Sequence, residues 1–392
     1  MKVYITAGEP SGDKLGAALM EGLKARVPGV QFTGIGGERM IAQGLESLFP
    51  MDEISVMGIT EILRQYGKLK ARIRETAEAI IAAKPDVLIT VDLPEFSLRV
   101  AELVKARSDI RVVHYVAPTV WAWRPKRATK MARHVDQVLA LLPFEPSYME
   151  AAGMRCDFVG HPVVTEPQAT PEEAAAFRVR HGLGDAPLAL ILPGSRRSEV
   201  SRLAPVFGEV VARLQQERPE LRFVLPAAAP VAPLVEELCA SWAEAPLVLD
   251  PRELGEAMAA EKRAAFAAAD VALAASGTVS LELAAAGTPM VVAYDMGWLS
   301  RQIIGRMLLV DTVTLVNLVS ETRAIPEFIG KDCRPAPIAD ALLSVLEAPE
   351  AQVEAMAVTM ERLGRGGPNP GDRAAQAVLE GLGRSQAPVV PG

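Results

Sequence analysis

Short, near-continuous apolar runs recur along this chain, each separated from the next by a segment long enough for a helix. LALIL at 188–192, VALA at 271–274 and MVVA at 290–293 show no alternation of apolar and polar positions. A strand apolar at every position is covered on both faces, which is the condition of a parallel sheet between two helical layers. Further strands are expected at 3–6, 31–35, 87–91, 111–116, 138–142, 157–159, 222–225 and 247–249. Strand-helix alternation over this length predicts an α/β fold with right-handed crossovers.

The array breaks once, at HPVVTEPQATPEEA from residue 161, where three prolines interrupt any periodicity. The break predicts two doubly wound, Rossmann-like domains facing a cleft, over 1–165 and 166–365, with a C-terminal helix and tail over 366–392. Helices are expected at 339–346, 351–363 and 373–382. With 392 residues, half of them hydrophobic, the chain can fill two cores. A formal net charge of −7 argues against a nucleic-acid binder. Three scattered cysteines suit a reducing compartment and offer no zinc spacing. The first apolar run stops at Gly8-Glu9, too early for a signal-peptide core, and no apolar run is long enough to span a bilayer. The chain is expected to be soluble or attached only to a membrane surface.

Ligands of open α/β sheets bind beyond the carboxyl ends of the strands, so the residues just after each run carry the functional information. AGEPSGD at 7–13 follows the first run: Gly8 and Gly12 admit close backbone approach, Ser11 or Asp13 can cap the next helix, and Glu9 faces the expected cleft. Alone this is either a catalytic loop or an ordinary turn with a solvated carboxylate. Asp92, in TVDLPEFS, follows the 87–91 run directly and is either an N-cap or a general base. HYVAPTVWAWRPKRATK at 114–130 puts Trp121 and Trp123 before a basic stretch, as a core pair or as a sugar- or acyl-binding surface. GIGGERM at 34–40 lacks the spacing of a dinucleotide fingerprint.

In the second half, ILPGSRRSEV places Gly194, Ser195 and Arg196 between a strand and a helix start, where backbone N–H groups and a guanidinium make an anion site. It lacks the Gly-Lys-Ser/Thr ending of a Walker loop, and no Asp-x-Asp occurs to bridge a metal to a nucleotide sugar. ASGTVSLELAAAG repeats the arrangement: Ser276, Gly277 and Thr278 turn into a helix that carries Glu282 one turn in. Phosphate at the turn and a ribose diol on the carboxylate together make a nucleoside-diphosphate site, unless Glu282 is merely half-exposed on an amphipathic helix. Asn317, inside TLVNLVS, is a buried amide that needs partners, of which a ligand is one option.

AGEPSGD, DLPEF, HYVAPTVWAW, LPFE at 142–145, GHP at 160–162, LPGSR, ASGTVSLE and the Asn of VNL fall in the order seen in lipid-A-disaccharide synthase. From about residue 1 to about 380 the chain resembles that family of inverting, two-domain GT-B glycosyltransferases. The resemblance implies transfer of 2,3-diacylglucosamine from UDP-2,3-diacylglucosamine to the 6-hydroxyl of 2,3-diacylglucosamine 1-phosphate (lipid X), with no cofactor and no metal. It gives the first domain the acceptor and the second the UDP-sugar. Asp92 takes the place of the family's base and Glu9 that of its first-loop acid, while Arg196, Glu282 and Asn317 match positions around UDP. His161 is the competing base. Glu95 and Ser97 stand where the family often has Asp and Asn, and Val163 follows GHP where an Asp is frequent. A UDP-GlcNAc 2-epimerase-like isomerase and a non-catalytic nucleotide-sugar binder are the alternatives.

Lipid substrates imply a docking surface on the cytoplasmic side of the inner membrane. Ile59, Ile62, Leu63, Tyr66 and Leu69 recur at helical spacing, with Lys68 and Arg72 among the cations between them. The competing expectation is a helix simply packed on a core. The resemblance also implies a homodimer, with the last helix either crossing back within the chain or exchanged.

Overall fold

The computed structural model describes residues 1–55, 59–297 and 309–384, the side chains of 59–66 excepted. Contacts divide the chain into two units, Met1–Thr165 with Gly366–Gly392, and Glu166–Arg365.

In the first unit the strands are β1 (Lys2–Ala7), β2 (Gln31–Ile35), β3 (Leu45–Ser47), β4 (Val87–Val91), β5 (Arg111–Tyr115), β6 (Gln137–Ala140) and β7 (Arg155–Phe158). They form one sheet in the order β3-β2-β1-β4-β5-β6-β7, and each neighbouring pair is parallel. Alternate side chains enter different layers. Val3, Ile5 and Ala7 pack with the helices Pro10–Arg26 and Pro370–Gly381. Tyr4 and Leu88 pack on the other face with Ile73, Ile80, Phe96 and Val100.

The second unit holds β8 (Leu188–Leu192), β9 (Arg222–Pro226), β10 (Leu247–Leu249), β11 (Val271–Ala275), β12 (Met290–Tyr294) and β13 (Glu327–Ile329). Their order is β10-β9-β8-β11-β12-β13, again all parallel. Counted within the unit this is 3-2-1-4-5-6, the doubly wound dinucleotide-binding order, whose ligand crevice lies where the winding reverses. The reversal falls between β8 and β11, and in the first sheet between β1 and β4.

Three strands, β5, β6 and β7, end earlier than expected, the first two for local reasons. β5 stops at Tyr115 because Val116 turns to φ 82°. β6 stops at Ala140 because the N–H groups of Leu141 and Leu142 donate to Glu145 Oε2 at 3.2 and 3.0 Å instead of to a neighbouring strand. β7 begins two residues earlier than expected, at Arg155, and ends at Phe158. β3 and β13 were not expected at all.

The final helix, Pro370–Gly381, lies along Pro10–Arg26. Gly22 and Gly371 let the two backbones close: a Cβ on Gly22 would sit 2.8 Å from the Gly371 carbonyl oxygen. Arg26 pairs with Asp372 at 2.6 Å, and Arg155 with Glu380 at 3.0 Å. Among the described residues no helix is long and apolar enough to cross a membrane.

Candidate active site

Both reversal points carry the residues singled out in the sequence. In the first unit Gly8 and Glu9 follow β1, and Asp92 follows β4. A Cβ on Gly8 would collide with the end of the Leu93 side chain, so these two loops touch and a larger residue at 8 would displace Leu93. Asp92 and Leu93 both take left-handed φ, 50° and 47°, a conformation costing non-glycine residues about 1–3 kcal/mol each. Three bonds hold it: the Asp92 N–H donates to Tyr115 O at 2.9 Å, Ser97 Oγ donates to Asp92 O at 2.7 Å, and the Ser97 N–H closes on Leu93 O at 2.9 Å. Ser97 thus secures the strained turn. Burial raises the pKa of the Asp92 carboxyl, against the lowering effect of the Leu93 N–H. A carboxylate moved toward working pH is a better general base.

Other first-unit residues go elsewhere. Asp13 does not cap its own helix. It is buried and accepts the N–H groups of Gly37, Arg39 and Met40 at 2.8, 3.0 and 3.1 Å, capping the next helix, Glu38–Ala42. Ser11 is exposed in the first turn of Pro10–Arg26, and Glu9 is its N-cap residue. The tryptophan pair separates. Trp121 is a core residue, with Nε1 donating to buried Glu145 at 3.4 Å and its ring edge-on to Phe144 at 5.3 Å. Trp123 is half-exposed and stacks under the Arg124 guanidinium at 4.5 Å. His161 is half-buried past β7, its Nδ1 accepting the Val163 N–H at 3.2 Å.

In the second unit, Gly194, Ser195, Arg196, Ser276, Gly277, Thr278 and Glu282 all line one cavity of about 620 Å³ at the reversal point. Gly194 and Gly277 take φ 112° and 155°, so glycine is required at both turns. The cavity also holds groups that the sequence reading missed. Lys262 donates to Glu282 Oε2 at 2.6 Å, and Phe266, Met258 and the 226–229 segment complete the wall. The expected anion cradle is partly filled from within: Glu199 Oε2 accepts the N–H groups of Ser195 and Arg196, each at 3.3 Å.

Asn317 is not at this cavity. It is buried, its Nδ2 donates to Ile325 O at 2.9 Å and Thr312 Oγ1 at 3.3 Å, and its Oδ1 accepts the Ile325 N–H at 3.0 Å. These bonds tie the amide to the 312–325 stretch of its own unit. Among the described residues no group of three or more His, Cys, Asp or Glu is placed to hold a metal ion.

On the helix Ile59–Ala83, the side chains of Ile59, Ile62, Leu63 and Tyr66 lie outside the described residues. Leu69 turns inward against the core. Lys68 and Arg72 pair with Glu53 at 3.1 and 2.7 Å, and Arg72 also covers the Phe49 ring. Of the three, Leu69 packs on the core, while Lys68 stays exposed and Arg72 half-buried beside Glu53.

The match to known proteins covers both units. Residues 3–379 match the family described as lipid-A-disaccharide synthetase. The chain is 63% identical over 383 residues to the lipid-A-disaccharide synthase of Ruegeria pomeroyi, covering 97% of this chain and 96% of that protein. It is 44% identical over 383 residues to that of Rhodospirillum centenum, covering 96% and 94%. Similar solved structures include UDP-GlcNAc 2-epimerase from Neisseria meningitidis bound to UDP-GlcNAc, with TM-score 0.63, 15% identity and coverage of 97% and 99%. The MnaA–UDP structure from S. aureus has TM-score 0.65, 11% identity and coverage of 98% and 97%. At those identities they share the two-sheet GT-B type of fold and no more. Because the family match begins in β1 and runs through both reversal points into the last helix, the chain belongs to the lipid-A-disaccharide synthetase family.

Proposed function

We propose that the chain transfers 2,3-diacylglucosamine from UDP-2,3-diacylglucosamine to the 6-hydroxyl of 2,3-diacylglucosamine 1-phosphate, with inversion and without a metal. The products are UDP and the β-1,6-linked lipid A disaccharide 1-phosphate. The observation that carries this reading is the convergence of two glycine turns, Arg196 and Glu282 on one cavity.

In this reading the second unit binds the donor. Arg196 and the N–H groups starting the helices Arg197–Glu217 and Val279–Ala286 stabilise the leaving diphosphate. Glu282 accepts the ribose hydroxyls. The first unit takes the acceptor. Asp92 removes the proton from the 6-hydroxyl as that oxygen attacks the anomeric carbon from the face opposite UDP, with Glu9 the second acid of the station. Both lipids must be drawn from a bilayer. The exposed cations Lys70 and Arg74 on the helix Ile59–Ala83 support a peripheral contact with the inner membrane, and the acting species is a homodimer.

The test is product analysis in detergent micelles with a chelator, wild type beside Asp92→Asn. Asn tolerates left-handed φ, so this variant removes the base and keeps the turn. Turnover is expected to fall by about 10²–10⁴-fold while UDP binding holds. No disaccharide from wild type would defeat the reading. An active Asp92→Asn would move the base to His161.

A further inference from the structure

The first unit has a second cavity, of about 770 Å³, between the helices Pro94–Lys105 and Lys126–Met131. Its wall begins at Pro94, two residues beyond Asp92. Arg99, Arg124, Lys126, Arg127, Lys130 and Arg133 line it, against the carboxylates of Glu95 and Glu102. On a chain of net charge −7 this is a marked local excess of positive charge.

Internal pairing does not account for it. Glu95 is held by Arg127 at 3.0 Å and faces Arg99 at 3.8 Å. Lys126, Lys130 and Arg133 are exposed and make no ion pair among the described residues. Lys126 and Lys130 stand four apart on one helix, where like charges repel. Lys126 and Arg127 open that helix, whose first turn has no acid to offset the dipole. Arg127 also adds to burial in lowering the pKa of His114. Several local costs are thus kept with no structural return. A compact, multiply charged anion would offset all of them, and a phosphate monoester carries about 1.5–2 negative charges with strong acceptor oxygens.

We propose that this cavity binds the phosphate monoester of the glycolipid acceptor and so orients the sugar for attack beside Asp92. This rests on the acceptor assigned above and names the residues that select it: Lys126, Lys130 and Arg133, with Arg124 at the rim.

The experiment uses the full chain in neutral detergent micelles and the double variant Lys130→Ala/Arg133→Ala. Acceptors with and without the 1-phosphate are compared by kcat/KM, and glucosamine 1-phosphate is titrated calorimetrically. Wild type should prefer the phosphorylated acceptor and bind glucosamine 1-phosphate. The double variant should lose about tenfold or more in both the preference and the binding, chiefly through KM, and Lys130→Arg/Arg133→Lys should restore the preference. An equal loss toward both acceptors, an unchanged preference, or no binding of glucosamine 1-phosphate by wild type would overturn the proposal. So would weaker binding to phosphatidylglycerol vesicles with the preference intact, which would make the cavity a bilayer contact. If wild type makes no disaccharide, the functional reading fails, and the titration still decides whether the cavity takes a sugar phosphate.

Discussion

Glu199 folds back over Arg196: its Oε2 accepts the Arg196 N–H at 3.3 Å, and its Oε1 lies 3.4 Å from the guanidinium. A carboxylate thus rests against donors that the proposed diphosphate would use, while the Arg197 and Ser198 N–H groups make no hydrogen bond among the described residues. Glu199→Gln keeps a side chain able to cap the helix and removes one negative charge. UDP is expected to bind about three- to tenfold more tightly, on the scale of one charge–charge term at short range in water. Calorimetric titration of UDP checks this, with the melting temperature as the control for the cap.

Lys262 and Glu282 form a partly exposed pair at 2.6 Å, with side-chain exposures of 37% and 33%. Such pairs contribute about 0–1 kcal/mol to stability, so Glu282→Ala should barely move the melting temperature. If Glu282 holds the ribose, the same variant weakens UDP binding by about tenfold and leaves pyrophosphate binding unchanged. Parallel titrations of the two ligands separate a ribose contact from general loss of the site.

Two buried groups give stability opposite slopes with pH. Burial, with help from Arg127, lowers His114 from 6.5 to about 4. The unfolded chain binds that proton first, so His114 withdraws stability as pH falls from 6.5 toward about 4. Burial raises Glu145 from 4.5 to about 7, against the N–H groups of Leu142, Trp121 and Leu141. The folded chain keeps that proton longer, so Glu145 withdraws stability as pH rises from 4.5 to about 7. Between about pH 5 and pH 6.5 the two oppose one another. Urea unfolding of His114→Asn should show stability falling more steeply with rising pH than wild type, and Glu145→Gln the reverse.

An alanine inside a helix normally stabilises it relative to glycine by about 1 kcal/mol. Gly22→Ala should do the opposite, because the new Cβ would meet Gly371 O at 2.8 Å and Ala375 Cβ at 2.9 Å. Overpacking of this kind costs about 1–3 kcal/mol. A thermal melt lower than wild type is the expected outcome.

What the sequence made legible follows from where the signal is local. LALIL needs no partner to read as a buried strand, and β8 has those bounds. β3 and β13 are three-residue edge strands, LES and EFI, too short and too polar to form an apolar run. Glycine turns after strands were readable because φ preference belongs to the residue itself, and the Gly194 and Gly277 turns share one cavity. Contacts set by tertiary distance were not. Lys262 sits in MAAEKRAAFAA and reads as a solvated cation, yet it meets a carboxylate twenty positions on. Asp13 looked like a cap for its own helix and serves another. Trp121 and Trp123 are separated by Ala122 on an irregular turn, where no periodicity tells the inward ring from the outward one.

The chain leaves the first unit after Thr165 and returns at Gly366, so that unit is completed by a segment made after the whole of the second unit. During synthesis the Glu166–Arg365 unit is whole before its predecessor is. The groove around Gly22, with Leu15, Leu19 and Leu23 beside it, waits for Ala374, Ala375 and Val378 to cover it. Domains otherwise tend to fold in the order they emerge. Here the helix Pro370–Gly381 acts as a timer: the unit that carries Asp92 matures only after the whole of Glu166–Arg365 has been made.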